Sequence, residues 1–124
     1  MGLLSKLFSS TPVVTPTHID TVAQFEEQVL QSELPVIVNI WSPTCAPCRR
    51  LAPELTATAT KYPEKVKVVE IGTMAEGALL GRLGVRATPT TIIYEEGEEL
   101  HRFTGYRSRQ WFGEMIEQEF GDGG

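Results

Sequence analysis

The stretch Val36-Ile37-Val38-Asn39-Ile40-Trp41-Ser42-Pro43-Thr44-Cys45-Ala46-Pro47-Cys48-Arg49 decides how the rest of the chain is read. Its first six residues form an almost unbroken apolar run, the pattern of a strand buried on both faces. Ser42 to Thr44 then read as a loop, and a helix is expected to begin around the cysteines and run to about Tyr62. Pro47 suits the first turn of that helix, where a missing N–H leaves nothing unpaired. Pro53 lies deeper and is expected to kink it. A helix N-terminus presents unpaired N–H groups and a partial positive charge, and both favour a thiolate over a thiol. Cys45 is therefore read as the more exposed, nucleophilic member of the pair, with Arg49 and Arg50 adding positive charge nearby. It would attack a disulfide sulfur to form a mixed disulfide, and Cys48, one turn further on, would resolve it.

Working outward, Thr21 and Gln24 have capping-box spacing, and Val22, Phe25, Val29 and Leu30 recur at helical period. Downstream, Lys65 to Ile71 carries the β-branched residues of a strand, and Met74 to Leu83 reads as a short helix closed by Gly84. Thr90 to Glu95 and Glu98 to Thr104 flank Glu96-Gly97, a hairpin signal. Ser108 can cap a last helix with Trp111, Phe112, Met115 and Ile116 as its apolar stripe. The order α-β-α-β-α-β-β-α predicts an α/β fold, with a central mixed sheet of about four to five strands and helices on both faces. Residues 1–17 are read as an N-terminal extension and Ser, Thr and Pro-rich linker, 18–120 as one domain and 121–124 as a flexible tail.

Composition narrows the function. The chain has 124 residues, 41% of them hydrophobic and 22% charged, with a net charge of -5. An acidic chain is a poor partner for nucleic acid, which demands clustered Lys and Arg. No apolar run approaches the ~18 residues of a membrane span. The first ten residues lack the apolar stretch and cleavage site of an export signal, so a reducing, cytoplasmic setting is expected. Wound as a helix, Leu3, Leu4, Leu7 and Phe8 would share one face; residues 1–8 are read as an extension, with membrane contact the lesser alternative. The two cysteines, only two residues apart, close too small a loop to staple a fold. They point to redox chemistry or a metal. Zinc asks for about four ligands, but the chain has no second cysteine pair and its only histidines are His18, before the first helix, and His101, in the last strand, so no metal is expected.

Trp41-Ser42-Pro43-Thr44-Cys45-Ala46-Pro47-Cys48-Arg49 resembles the active-site segment of thioredoxins, and Gly84-Val85-Arg86-Ala87-Thr88-Pro89-Thr90 resembles the family's cis-proline loop. The glycines at 97 and 105 fall at the family's usual distances beyond it, and the resemblance runs from about Ile19 to Phe120. It implies a thioredoxin fold and a protein thiol–disulfide oxidoreductase that reduces disulfides by dithiol–disulfide exchange. No bound cofactor is implied beyond the redox-active Cys45–Cys48 disulfide. Implied partners are disulfide-containing client proteins and a thioredoxin-reductase-type electron donor, with the chain a monomer. Pro89 would be cis and face the cysteines, and Thr88 would offer backbone groups to a client lying as an added strand. Trp41 would shield the site as well as fill core, and Gly105 would either keep the nearby surface bare or serve as a turn glycine. Thr44, Ala46 and Pro47 complete the implied client-contact surface.

Three residues depart from the family's pattern. Thr44 replaces a Trp, removing apolar contact surface, and Ala46 replaces a Gly between the cysteines. Asn39 stands where the family has a buried Asp, while Glu70 stands where it has a Lys on the neighbouring strand. Cys48 must lose a proton before it can attack, and a nearby carboxylate can take it. Either Glu70 is the displaced proton acceptor with Asn39 as its hydrogen-bond partner, or Asn39 is a structural amide and Glu70 lies at a solvated strand edge. Two other activities fit the same residues: a redox-weak adaptor or chaperone holding clients in the groove at Pro89, and a disulfide oxidase or isomerase in an oxidising compartment.

Overall fold

In the computed structural model, which describes residues 12–121, the apolar run forms β2, Val36–Trp41, at the centre of a five-stranded sheet. Around it lie β1 (Thr17–His18), β3 (Lys67–Gly72), β4 (Thr90–Glu95) and β5 (Glu98–Thr104) in the order β1-β3-β2-β4-β5. β1, β3 and β2 run parallel, whereas β4 and β5 are antiparallel to their neighbours. Four helices follow the predicted order: α1 (Val22–Phe25, continued by a π-helical turn over Glu26–Leu30), α2 (Ala46–Lys61), α3 (Gly77–Leu83) and α4 (Arg109–Phe120). This is the α/β mixed sheet that the element order predicts, and it is the thioredoxin fold that the resemblance implies.

The two faces of β2 carry separate cores, because side chains alternate along a strand. Val36, Val38 and Ile40 pack with Phe25 and Val29 of the first helical segment and with Leu79 and Leu83 of α3. Ile37 packs on the other side with Leu51, Leu55 and Ala59 of α2 and with Phe112, Met115 and Ile116 of α4. Fully burying an aliphatic side chain of this size contributes roughly 1.5–3 kcal/mol, so the two layers together hold the sheet.

Several boundaries differ from expectation. β1 begins at Thr17, inside the predicted linker, and pairs with β3 through Thr17–Val69 and His18–Glu70. The segment before it is also anchored, since Val14 N donates to Thr60 Oγ1 of α2 at 2.9 Å. A two-residue strand has no periodicity of its own and shows only through its partner. α3 starts at Gly77 rather than Met74: Glu76 makes no side-chain cap, and Met74 and Ala75 are taken up by a turn in which Ala75 N bonds to Gly72 O. β3 likewise starts at Lys67, because Lys65 and Val66 donate to Tyr62 O in the turn that leaves α2. The helical face proposed for Leu3 to Phe8 and the tail beyond Gly121 lie outside the described residues.

Candidate active site

β2 delivers the chain into the loop Ser42–Thr44, and Cys45 becomes the N-cap of α2. Its Sγ accepts a hydrogen bond from Cys48 N at 3.2 Å, so the sulfur sits where a cap oxygen would otherwise satisfy an orphan donor. Pro47 occupies the first turn, and α2 continues past Pro53. The two cysteines are disulfide-bonded, with Cα atoms 5.2 Å apart. Cys48 is buried, Cys45 is partly exposed, and Thr44 and Ala46 are exposed beside it. Cys45 is thus the member of the pair that is open to solvent.

Pro89 enters at the same end of the sheet. Thr90 pairs with Ile40 of β2, and the Thr88–Pro89 bond just before it is cis. Thr90 Oγ1 donates to Ala87 O at 2.6 Å, and Gly105 N donates to Pro89 O at 2.9 Å. Gly105 has φ 94°, a left-handed conformation that a side chain would oppose, so it is more than bare surface: it clamps the proline loop. Beside it, the Tyr106 ring lies 5.8 Å from the guanidinium carbon of Arg50, two residues after Cys48. The turn after β5 is thereby tied to both the proline loop and the helix of the cysteines.

Beneath Cys48 is a cavity of about 280 Å³, lined among others by Asn39, Trp41, Arg49, Thr56 and Glu70. Asn39 and Glu70 are register partners on adjacent strands. The expected hydrogen bond between them is not made. Glu70 Oε2 instead meets His18 Nδ1 at 3.2 Å, because β1 pairs on the far side of β3 and sets His18 directly beside Glu70. Asn39 is 5% exposed, and its Nδ2 has no hydrogen-bond partner among the described residues. The Glu70 side chain is 32% exposed, so it bridges the cavity wall and the surface.

His18 Nε2 meets Asp20 Oδ1 at 3.0 Å, which places a carboxylate against each ring nitrogen. Partial burial works against its charged form, but the hydrogen bonds to Glu70 and Asp20, with their charges, outweigh it and hold the His18 pKa above the ordinary histidine value. Sequence reasoning passed over His18 except as an absent metal ligand, since its neighbour Glu70 is 52 residues away in the chain. It also passed over Gly72. An added Cβ there would lie 3.1 Å from the Trp41 ring, so glycine is what lets the indole lie against β3. Trp41 Nε1 is buried and also without a partner among the described residues.

Among the described residues no group of three or more His, Cys, Asp or Glu is arranged to hold a metal ion, and no helix is long and apolar enough to cross a membrane. His101, the other histidine, bonds to Glu119 at 2.9 Å on the far side of the sheet from β1.

The family model described as Thioredoxin matches residues 16–118. The chain is 38% identical over 97 residues to Thioredoxin of Synechocystis sp., covering 78% of this chain and 85% of that protein. It is 36% identical over 85 residues to Thioredoxin 1 of Synechococcus elongatus, covering 68% of this chain and 79% of that protein. A third relative, Thioredoxin 1 of Nostoc sp., is 32% identical over 98 residues, with 79% and 92% covered. A helix-capping, accessible Cys45, a buried Cys48 bonded to it and a clamped cis-proline loop are thus joined to this similarity along most of the chain, and the chain belongs to the thioredoxin family as a thiol–disulfide oxidoreductase.

Proposed function

We propose that Glu70 is the proton acceptor in a protein-disulfide reductase whose sulfur chemistry is carried by Cys45 and Cys48. With the pair reduced, the Cys45 thiolate attacks a client disulfide, forms a mixed disulfide and expels one client thiolate. Glu70 takes the proton of Cys48, directly or through water, and the Cys48 thiolate attacks Cys45 Sγ. The second client thiolate leaves, the Cys45–Cys48 disulfide forms, and two electrons have passed to the client. A thioredoxin-reductase-type donor restores the dithiol.

The observation that carries this reading is that Glu70 and Cys48 line one cavity, together with Asn39, which cannot take a proton and stands in register between Glu70 and Thr91 of β4. Around the cysteines, Trp41, Thr44, Ala46, Pro47, Thr88, Pro89 and Gly105 form the client-contact surface, with Thr88 offering its backbone to an extended client segment. The chain works as a monomer in a reducing compartment such as the cytoplasm. Cys48→Ser tests the sulfur roles: it accumulates the Cys45 mixed disulfide, whereas Cys45→Ser forms none. Glu70→Gln tests the proton role: release of the mixed disulfide slows by about 100-fold while its formation is unchanged. Equal slowing of both steps, or of neither, refutes the acceptor role.

A further inference from the structure

We infer that His18 is a positioning residue for the resolving step, holding the Glu70 carboxylate at the cavity and passing to solvent the proton that Glu70 takes from Cys48. The inference rests on the reading of Glu70 as proton acceptor and extends it by one residue.

The geometry carries the argument. Both ring nitrogens of His18 face carboxylate oxygens, Nδ1 to Glu70 at 3.2 Å and Nε2 to Asp20 at 3.0 Å. A neutral imidazole has one N–H and can satisfy only one of these oxygens. The imidazolium has two and satisfies both. The site is therefore built to regain a proton once it has lost one. Its side chain is 47% exposed, so a proton held there exchanges with water, whereas Cys48 is 6% exposed and cannot exchange directly. Glu70 spans the interval, with one face on the cavity that holds Cys48 and the other on His18.

The proton balance follows. Starting from neutral His18, the S–H bond of Cys48 breaks and its proton moves to the Glu70 carboxylate. From there it passes to Nδ1 of His18, whose charge is then held between Glu70 and Asp20. The Cys48 thiolate attacks Cys45 Sγ, and the imidazolium later gives its proton to water. No other oxidant or reductant is involved.

The charged groups that face His18 among the described residues are Glu70 from β3 and Asp20 from its own segment. Glu76 stands beside Asp20, its backbone N–H donating to Asp20 O and its carboxylate accepting from Val22 N. The carboxylates prevail over burial and raise the His18 pKa, which brings its titration toward the range in which a proton acceptor is useful.

The test uses the full chain and an aromatic disulfide that releases a coloured thiolate in each of the two steps. The first release reports attack by Cys45 and the second reports resolution by Cys48. In the wild type the second rate rises with pH through a titration above 6.5 that coincides with the His18 ring resonances. In His18→Gln that rise is lost and the second step is slower by about tenfold at the upper end of the range, with the first step unchanged. In the double variant with Glu70→Gln, His18→Gln adds nothing, because His18 acts only through Glu70. A wild-type pH profile in His18→Gln overturns the role of His18 and leaves that of Glu70 standing. A second step unaffected by Glu70→Gln removes the acceptor reading and this inference with it. Additive slowing in the double variant, or equal slowing of both releases, makes His18 merely structural and overturns the inference.

Discussion

Val69, Val38 and Ile92 form one row across β3, β2 and β4; Glu70, Asn39 and Thr91 form the next, one residue along and on the opposite face. The first row is fully buried among apolar neighbours from α1 and α3. The second is extended by His18 at one end; its Asn39 and Glu70 line the cavity under Cys48, and Asn39 Nδ2 and Thr91 Oγ1 are unpartnered among the described residues. On that same face the adjoining row, Val68, Ile37 and Ile93, is again apolar. The buried side chains that carry an unpartnered polar atom among the described residues, Asn39, Trp41 and Thr91, thus lie together on this face of the sheet. Burying a polar group without a partner costs about 1–3 kcal/mol, so its concentration where the cysteine helix begins marks a place where stability is given up for chemistry.

The sharpest way to break this contrast is to carry the polar residue across the sheet. Val38→Asn would bury an amide within the apolar layer and is expected to cost about 3–5 kcal/mol, measured from denaturant midpoints, which would remove much of the stability of a domain this size. Tolerance within 1 kcal/mol, roughly the median cost of any mutation, would show that the two faces are energetically alike. Glu70→Gln is the reverse case. It should leave the unfolding midpoint nearly unchanged and slow resolution by about 100-fold, or about 2.7 kcal/mol of barrier. Thr91→Val removes a hydroxyl with no partner; stability should be unchanged or higher by up to about 1 kcal/mol, with both sulfur steps unaffected.

The smallest effect concerns pH. The His18 pKa is raised on folding, so its ion pairs stabilise the protein fully below the ordinary histidine value and cease to do so as pH rises through the folded value. The stability difference between wild type and His18→Gln should accordingly be greatest near pH 6 and fade on the alkaline side. Solvent screening at this half-exposed site limits it to about 0.5 kcal/mol. A difference that grew with pH would mean that the His18 pairs do not form.

The apolar row was legible because alternation specifies it: Val36, Val38 and Ile40 could only face together. The place of the cysteines was legible because a buried strand, a short loop and Pro47 leave few ways to start a helix. The neighbouring positions of Asn39 and Glu70 came from family resemblance, and the structure confirms their register. Which group Glu70 would bond was not legible. Its rotamer depends on β1, a strand too short to leave a pattern and supplied by a segment that reads as linker. Gly72 escaped for a related reason, since its need for a bare Cα comes from the Trp41 ring across the sheet.

The hydrogen bond from Gly105 to Pro89 also has a place in time, set by the order in which the chain is made. Cys45 and Cys48 emerge early, but β4 cannot pair with β2, nor Gly105 close on Pro89, until some sixty further residues have left the ribosome, which takes several seconds at ordinary elongation rates. Until then the proline loop cannot stand beside the pair. The join between the proline loop and the cysteine helix is thus among the later features the growing chain acquires, and any pause in translation before Gly105 prolongs the interval in which Cys45 and Cys48 stand without it.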